Sequence, residues 1–126
     1  MSPDAALVTR FDGLAARLAA DPEFVLTARL WTATVCLRVD DHDVAAVRID
    51  RGTAAPLEAS APGVVDVRIA APEATWIEML ATVPRPFLQD LFPAMVHHGV
   101  VVEGEAELWW AHYRVLQRLL EILRGV

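Results

Sequence analysis

Apolar residues recur along this chain at two different periods, and the places where one period gives way to the other mark its elements. From Pro3 to Ala20, the residues Leu7, Phe11, Leu14, Ala15 and Leu18 fall on one side of a helix, with Ser2 as N-cap, Pro3 in the first position and Asp4 complementing the dipole. Asp21 and Pro22 end that helix, because proline holds the residue before it extended, and a linking stretch follows. Between Leu30 and Val39 the period becomes that of a strand. Trp31, Ala33, Val35, Leu37 and Val39 alternate with Thr32, Thr34, Cys36 and Arg38, which predicts one buried face. Asp40, Asp41, His42 and Asp43 make a turn, Val44 to Ile49 returns as the second strand of a hairpin, and Asp50, Arg51 and Gly52 turn into a third strand, Thr53 to Leu57. Pro56 cannot donate to a ladder, so the third strand belongs at a sheet edge.

After the loop Ala59 to Gly63, the run Val64 to Ile69 alternates again, with Val65, Val67 and Ile69 opposite Asp66 and Arg68. Pro72 and Glu73 open a second helix whose buried side is Trp76, Met79, Leu80 and Val83. Pro84 and Pro86 break the chain. The segment bearing Phe87, Leu88, Leu91, Phe92, Met95 and Val96 is interrupted by Pro93, which predicts two short helical pieces with aromatic and methionine side chains aimed inward. His97 and His98 sit in the last turn, where cations suit the dipole, and Gly99 follows as C-terminal cap.

The last quarter organises the rest. Val100, Val101 and Val102 pass through Glu103 and Gly104 into one long amphipathic helix, with Leu108, His112, Val115, Leu116, Leu119, Ile122 and Leu123 on one side and Glu107, Trp110, Arg114, Gln117, Arg118 and Glu121 on the other. A helix of about 20 residues is roughly 30 Å long, enough to form one wall of a core or of a pocket. Strands and helices are segregated and nothing repeats internally, so the fold class is α+β, with helices covering one sheet face in a single domain.

Composition sharpens this picture. Of the 126 residues, 55% are apolar, four are tryptophan and four phenylalanine, and the mean hydropathy is +0.35. That surplus is explained by an internal lipophilic cavity, a subunit interface, or both. Seventeen acids against eleven bases give a net charge of −6, and such a field repels phosphate backbones, so nucleic acid is not an expected partner. All eleven cations are arginine, and the chain has no lysine. This excludes Schiff-base chemistry and a P-loop, both of which depend on a primary amine.

One cysteine, Cys36, cannot form an intrachain disulfide, which suits a reducing cytoplasm, and its place in a strand pattern predicts an inert buried thiol. The start, MSPDAALVTR, lacks the basic and apolar regions of a signal peptide, and no run approaches the roughly 18 apolar residues of a membrane span. The alanine and arginine richness has the character of a GC-rich bacterial genome. The acids and histidine of the turn at Asp40 to Asp43 read as a solvated loop, since four contiguous residues on a tight turn do not converge on a cation. His97, His98 and His112 with Glu103 or Glu105 match no metal geometry, and Ser60 is not set in a nucleophile motif. No catalytic residue, cofactor or metal site is expected.

Two stretches together point to a family. Asp66-Val-Arg-Ile-Ala-Ala-Pro-Glu-Ala-Thr-Trp-Ile-Glu-Met-Leu80 is similar to the acidic residue, short strand and aromatic-bearing helix of the sterol carrier protein type-two, or nonspecific lipid-transfer, domain. Gly99-Val-Val-Val-Glu-Gly104 before an apolar helix is similar to that family's glycine, strand, glycine, helix ending. The element order from Phe11 to Leu123 resembles the same family, which implies a mixed five-stranded sheet with helices on one side and a hydrophobic tunnel for fatty acyl chains, sterols or acyl-CoA. Val96, His97 and His98 depart from the family's aromatic and glycine before the fifth strand. Pro84, Pro86, Pro93 and the pair Trp109-Trp110 suggest a remodelled tunnel mouth, and Arg124-Gly125-Val126 is not a peroxisomal address.

The function expected first is therefore binding or carrying of a small hydrophobic ligand without catalysis. The ligand-binding residues expected under the C-terminal helix are Trp76, Met79, Phe87, Leu91, Met95, Leu108 and Leu116, with His112 as the orienting polar contact. The alternative is a homodimeric or accessory interaction module partnering an enzyme of hydrophobic substrates, with Trp110 and Arg114 as interface anchors.

Overall fold

Asp4 opens the first helix, its carboxylate accepting hydrogen bonds from the backbone N–H groups of Ala6 at 2.8 Å and Leu7 at 3.2 Å. Two of the four donors that a helix start leaves unpaired are thereby satisfied. The computed structural model describes residues 3–125, so the cap expected at Ser2 lies outside the described residues. The single helix expected from Pro3 to Ala20 is two helices, α1 (Ala5–Thr9) and α2 (Leu14–Ala19), parted by Gly13 at φ +67°. Left-handed backbone cannot continue a right-handed helix, and glycine adopts it without penalty. The apolar stripe survives the break, with Leu7, Phe11, Leu14, Ala15 and Leu18 all buried. Asp21 and Pro22 then begin a further helix in the stretch expected to be a linker. In α3 (Pro22–Thr27), proline takes an early position and Asp21 accepts from the Phe24 N–H at 2.8 Å.

The strands are β1 (Thr32–Val39), β2 (His42–Asp50), β3 (Thr53–Leu57), β4 (Val67–Ala71) and β5 (Val101–Glu103), in the order β3-β2-β1-β4-β5. Neighbours are antiparallel except β1 and β4, which run parallel, so the sheet is mixed and open as expected. Pro56 lies on the edge strand β3, where its missing N–H costs no ladder bond. The fourth strand starts later than expected. Val64 is 85% exposed, because Asp66 first docks on β1, its carboxylate accepting from the Thr34 N–H at 2.7 Å and its own N–H donating to the Thr34 carbonyl at 2.9 Å.

Helix α4 (Glu73–Met79) buries Trp76 and Met79, with Leu80 behind them. Val83, expected on that buried side, is 85% exposed because the helix stops at Leu80. Trp76 packs edge to face on Phe11 at 5.3 Å, and its Nε1–H donates to the Arg38 carbonyl at 2.8 Å, tying α4 to the end of the central strand. The two helical pieces expected around Pro93 are one helix, α5 (Leu91–His97). Asp90 caps it, and Pro93 falls in the first turn, where an N–H has no intrahelical partner to lose. Before it, Phe87 sits at φ +71° and is 47% exposed, so that side chain is not aimed inward.

The long C-terminal helix is also two, α6 (Ala106–Ala111) and α7 (Tyr113–Arg124), broken at His112 with φ −120° and ψ 27°. Past the break the expected face holds, since Val115, Leu116, Leu119, Ile122 and Leu123 are buried, joined by Leu120. Before the break the wheel is out of phase, so Trp109 is buried and Leu108 is exposed. Helix α7 packs against α2, α3, α5 and α6, at the centre of the helical layer.

Charged side chains close the helix ends. Arg10 donates to the Leu80 carbonyl at 2.9 Å and the Leu123 carbonyl at 3.1 Å, Arg17 to the Ile122 carbonyl, and Arg124 to the Met79 carbonyl at 2.9 Å. Carbonyls at the C-termini of α4 and α7 thus gain donors and a favourable charge. Arg118 grips Asp21 at 2.7 and 2.9 Å, fastening α7 to the start of α3. That guanidinium holds the Asp21 carboxyl down at about 2, against an ordinary value of 3.8.

Because the folded-state value is depressed, the stabilisation from Asp21 is fully present above about pH 4 and is lost as pH falls toward 2. Asp21→Asn, which keeps a capping side chain, is expected to lower Tm at pH 7, with the gap to wild type closing between pH 4 and pH 2 in calorimetric scans. At Gly104, φ is +128° and an added Cβ would stand 2.2 Å from the Asp66 carbonyl oxygen. Gly104→Ala is expected to cost about 2 kcal/mol or more in urea unfolding, since both strain and backbone overlap oppose it.

Candidate functional site

Where the corner between α1 and α2 crosses β2 and β3, helix and sheet leave a cleft of about 550 Å3. Phe11 and Leu14 form its roof, Val44 to Val47 its floor, and Ala54, Pro56 and Leu57 its outer side. The space follows from side-chain size. Ala15, Ala16, Ala45, Ala46, Ala54 and Ala59 line it, and side chains that end at a methyl group cannot fill what larger residues would close. Its volume lies within the range of small-molecule sites, and its wall is apolar apart from backbone groups and Asp12.

The eight residues expected to bind a ligand lie elsewhere. Trp76, Met79, Leu91 and Leu116 are at most 1% exposed and packed in the solid core. Met95 packs at its margin, while Phe87 and Leu108 are exposed. His112 is half-buried at the α6–α7 break, stacked on Trp31 at 4.8 Å, and its burial lowers its pKa. None of the eight lines this cleft or three further depressions of about 450, 380 and 360 Å3. The wheel identifies apolar side chains, and such side chains fill a core as readily as they line a pocket. Alanine is the weakest apolar signal, so periodicity along the chain gives no sign of this cleft.

Trp110 is 46% exposed in an aromatic shelf, against Phe92 at 5.3 Å, Trp109 at 4.8 Å and Tyr113 at 5.1 Å. The Tyr113 hydroxyl accepts from the Phe92 N–H at 2.6 Å, and burial pushes its pKa up to about 12. Trp109 Nε1 is buried with no partner among the described residues. Arg114 is paired with Glu23 and Glu121. His97 stacks on Phe87 at 4.0 Å, and His98 Nε2 lies 3.3 Å from the Pro86 carbonyl oxygen.

The other face of the sheet is charged and paired. The turn after β1 is only Asp40 and Asp41, so His42 and Asp43 belong to β2. A register shift between Leu37 and Arg38 sets Asp43 opposite Arg38, where it bonds Arg38 at 2.9 Å and Arg68 at 3.2 Å. Asp43 is therefore no solvated loop acid, and the two guanidiniums lower its pKa against the opposing effect of its burial. Beneath this cover Thr34 and Cys36 are buried despite facing away from the helices. Burial, with the Asp43 charge adding to it, pushes the Cys36 thiol up to about 11, which keeps it unreactive. Among the described residues no group of His, Cys, Asp or Glu could hold a metal ion, and no helix is long and apolar enough to cross a membrane.

No protein-family model matches the sequence, and no curated protein sequence is similar enough to match it. The solved structures speak to the fold. Sterol carrier protein 2 superposes with a TM-score of 0.65 at 19% identity, over 96% of this chain and 95% of that one. A ubiquinone synthesis protein, UbiJ-SCP2, does so with a TM-score of 0.59 at 11% identity, over 94% and 95%. A conserved hypothetical protein of Thermus thermophilus, described as possibly a sterol carrier protein, gives 0.58 at 19% identity, over 98% and 88%. The fold is that of sterol carrier protein 2, as the strand-helix and glycine-strand-glycine patterns implied.

Proposed function

From a sterol-carrier fold with an alanine-lined cleft between its layers, we propose that this protein binds and carries a small lipophilic molecule and performs no chemistry on it. The cleft is the observation that carries the reading, because it is an apolar space of about 550 Å3 that the protein's own side chains do not fill. Removing apolar surface from water is worth about 25 cal/mol per Å2, so such a wall needs few polar contacts to hold a guest. Its lining has neither a nucleophile nor an acid–base pair, which is why the reading includes no reaction. The single buried cysteine accords with a cytoplasmic setting.

A fluorescent long-chain lipid is expected to bind at micromolar Kd and to be displaced by unlabelled lipid. Ala54→Phe, which places a ring in the cleft from the edge strand, is expected to weaken that binding at least tenfold while the circular dichroism spectrum is unchanged. Equal binding by the variant would locate the ligand elsewhere, and no binding across a broad lipid panel would end the carrier reading.

The aromatic shelf favours a second reading, an interaction module. Exposed tryptophan and phenylalanine are the side chains that anchor interfaces, and Trp110 and Phe92 are each 46% exposed on adjoining helices. The neighbour named as a ubiquinone synthesis protein gives this reading a setting, the synthesis of a hydrophobic molecule. If the shelf joins two copies of this chain, light scattering will give a dimer mass for wild type and a monomer mass for Trp110→Ala; identical monomer masses would exclude the homodimer.

A further inference from the structure

Among the described residues fourteen wall the cleft, and only Asp12 of these has an ionisable side chain. It is an acid, exposed at the corner between α1 and α2. No arginine, histidine or hydroxyl-bearing side chain among the described residues borders the space. The arginines nearest in sequence are engaged elsewhere, Arg10 on the carbonyls of Leu80 and Leu123, Arg17 on those of Arg10 and Ile122, and Arg48 on the Thr34 hydroxyl and Asp66. The same holds through the molecule. With no lysine in the chain, every cationic side chain except histidine is an arginine, and each lies against a backbone carbonyl or a carboxylate. Helix α2 does begin at the cleft without a side-chain cap, but it has six residues, and Asp12 stands immediately before its first residues to oppose whatever positive potential it gathers.

An anionic head group entering this space would lose hydration with no cation to compensate it, and would meet a like charge at Asp12. The net charge of −6 opposes its approach from farther away. An uncharged head group meets neither penalty. We infer that the cleft selects neutral lipids, such as long-chain alcohols, esters or polycyclic alcohols, and discriminates against fatty-acid anions and acyl phosphoesters of the same chain length. This inference rests on the carrier reading and narrows it to a ligand class.

Competition against a fluorescent long-chain alcohol at pH 7.4 tests it, with hexadecanol, hexadecanoic acid and hexadecanoyl-CoA as competitors below their aggregation limits. Wild type is expected to bind hexadecanol at least tenfold more tightly than either anion. Asp12→Asn is expected to narrow that ratio, and Asp12→Arg to bring the acid level with the alcohol or ahead of it. An acid that competes as well as the alcohol in wild type, or a ratio that neither variant moves, would overturn the inference while leaving the carrier reading in place. Failure of all three competitors and of the fluorescent alcohol to bind would remove the carrier reading itself, which keeps the two failures distinct. Asp12 is exposed and makes no side-chain hydrogen bond among the described residues, so both variants are expected to fold, and their Tm values check it.

Discussion

Helices of five to seven residues do not persist in water by themselves, because one turn fixes several dihedral angles for few hydrogen bonds. Six of the seven helices among the described residues are that short. Their existence depends on an apolar face buried on the sheet or on α7, to which α1, α3, α4 and α5 add charged side chains at their ends. Arg10, Arg17 and Arg124 fasten carbonyls at the ends of α4 and α7, while Asp4, Asp21 and Asp90 cap the starts of α1, α3 and α5. Arginine suits this task because its fork of donors reaches two carbonyls on different elements, as Arg10 does between Leu80 and Leu123.

This use of charge shapes the rest of the surface. Guanidiniums paired with carbonyls and with Asp21, Asp43 and Asp66 have their charge compensated where they stand, and none of the eleven arginines lines the cleft. On the outer sheet face, Arg38 and Arg68 share Asp43 and shield Cys36 from water without any helix above it. The helical face is different, being packed with apolar side chains, with a cleft where alanines meet at the α1–α2 corner and smaller depressions beside α1 and α7. The charged layer and the cleft are thus on opposite sides of one sheet, and the ligand preference inferred above follows from that partition.

The relation between hydrophobicity and cavity is not the obvious one. The large side chains Trp76, Met79, Leu91 and Leu116 make the chain look rich enough in apolar residues to need a guest, yet they interlock with Phe11, Val35, Ile69 and their neighbours as a solid core. Space opens instead where apolar residues are small. Phe87, Phe92, Leu108 and Trp110 account for part of the surplus in another way, by remaining at the surface of α5, α6 and the loop before them.

The sequence by itself determined the elements whose signals are local. Period-two alternation located β1 to β3, Pro56 assigned the edge, the glycine-strand-glycine pattern placed β5 and Gly104, and the helical stripes named most of the core. Those signals are legible because one chain segment produces each of them. Helix breaks were legible only in hindsight, since Gly13 could have been tolerated in a helix and His112 has no breaking chemistry of its own; the packing of separate pieces onto the sheet chose both. The tertiary structure alone decided that Asp43 joins two arginines, that Arg114 pairs with Glu23, and that a cleft opens at an alanine corner. Each of these is a contact between residues distant in sequence, or the absence of one, and no period along a single segment can encode it.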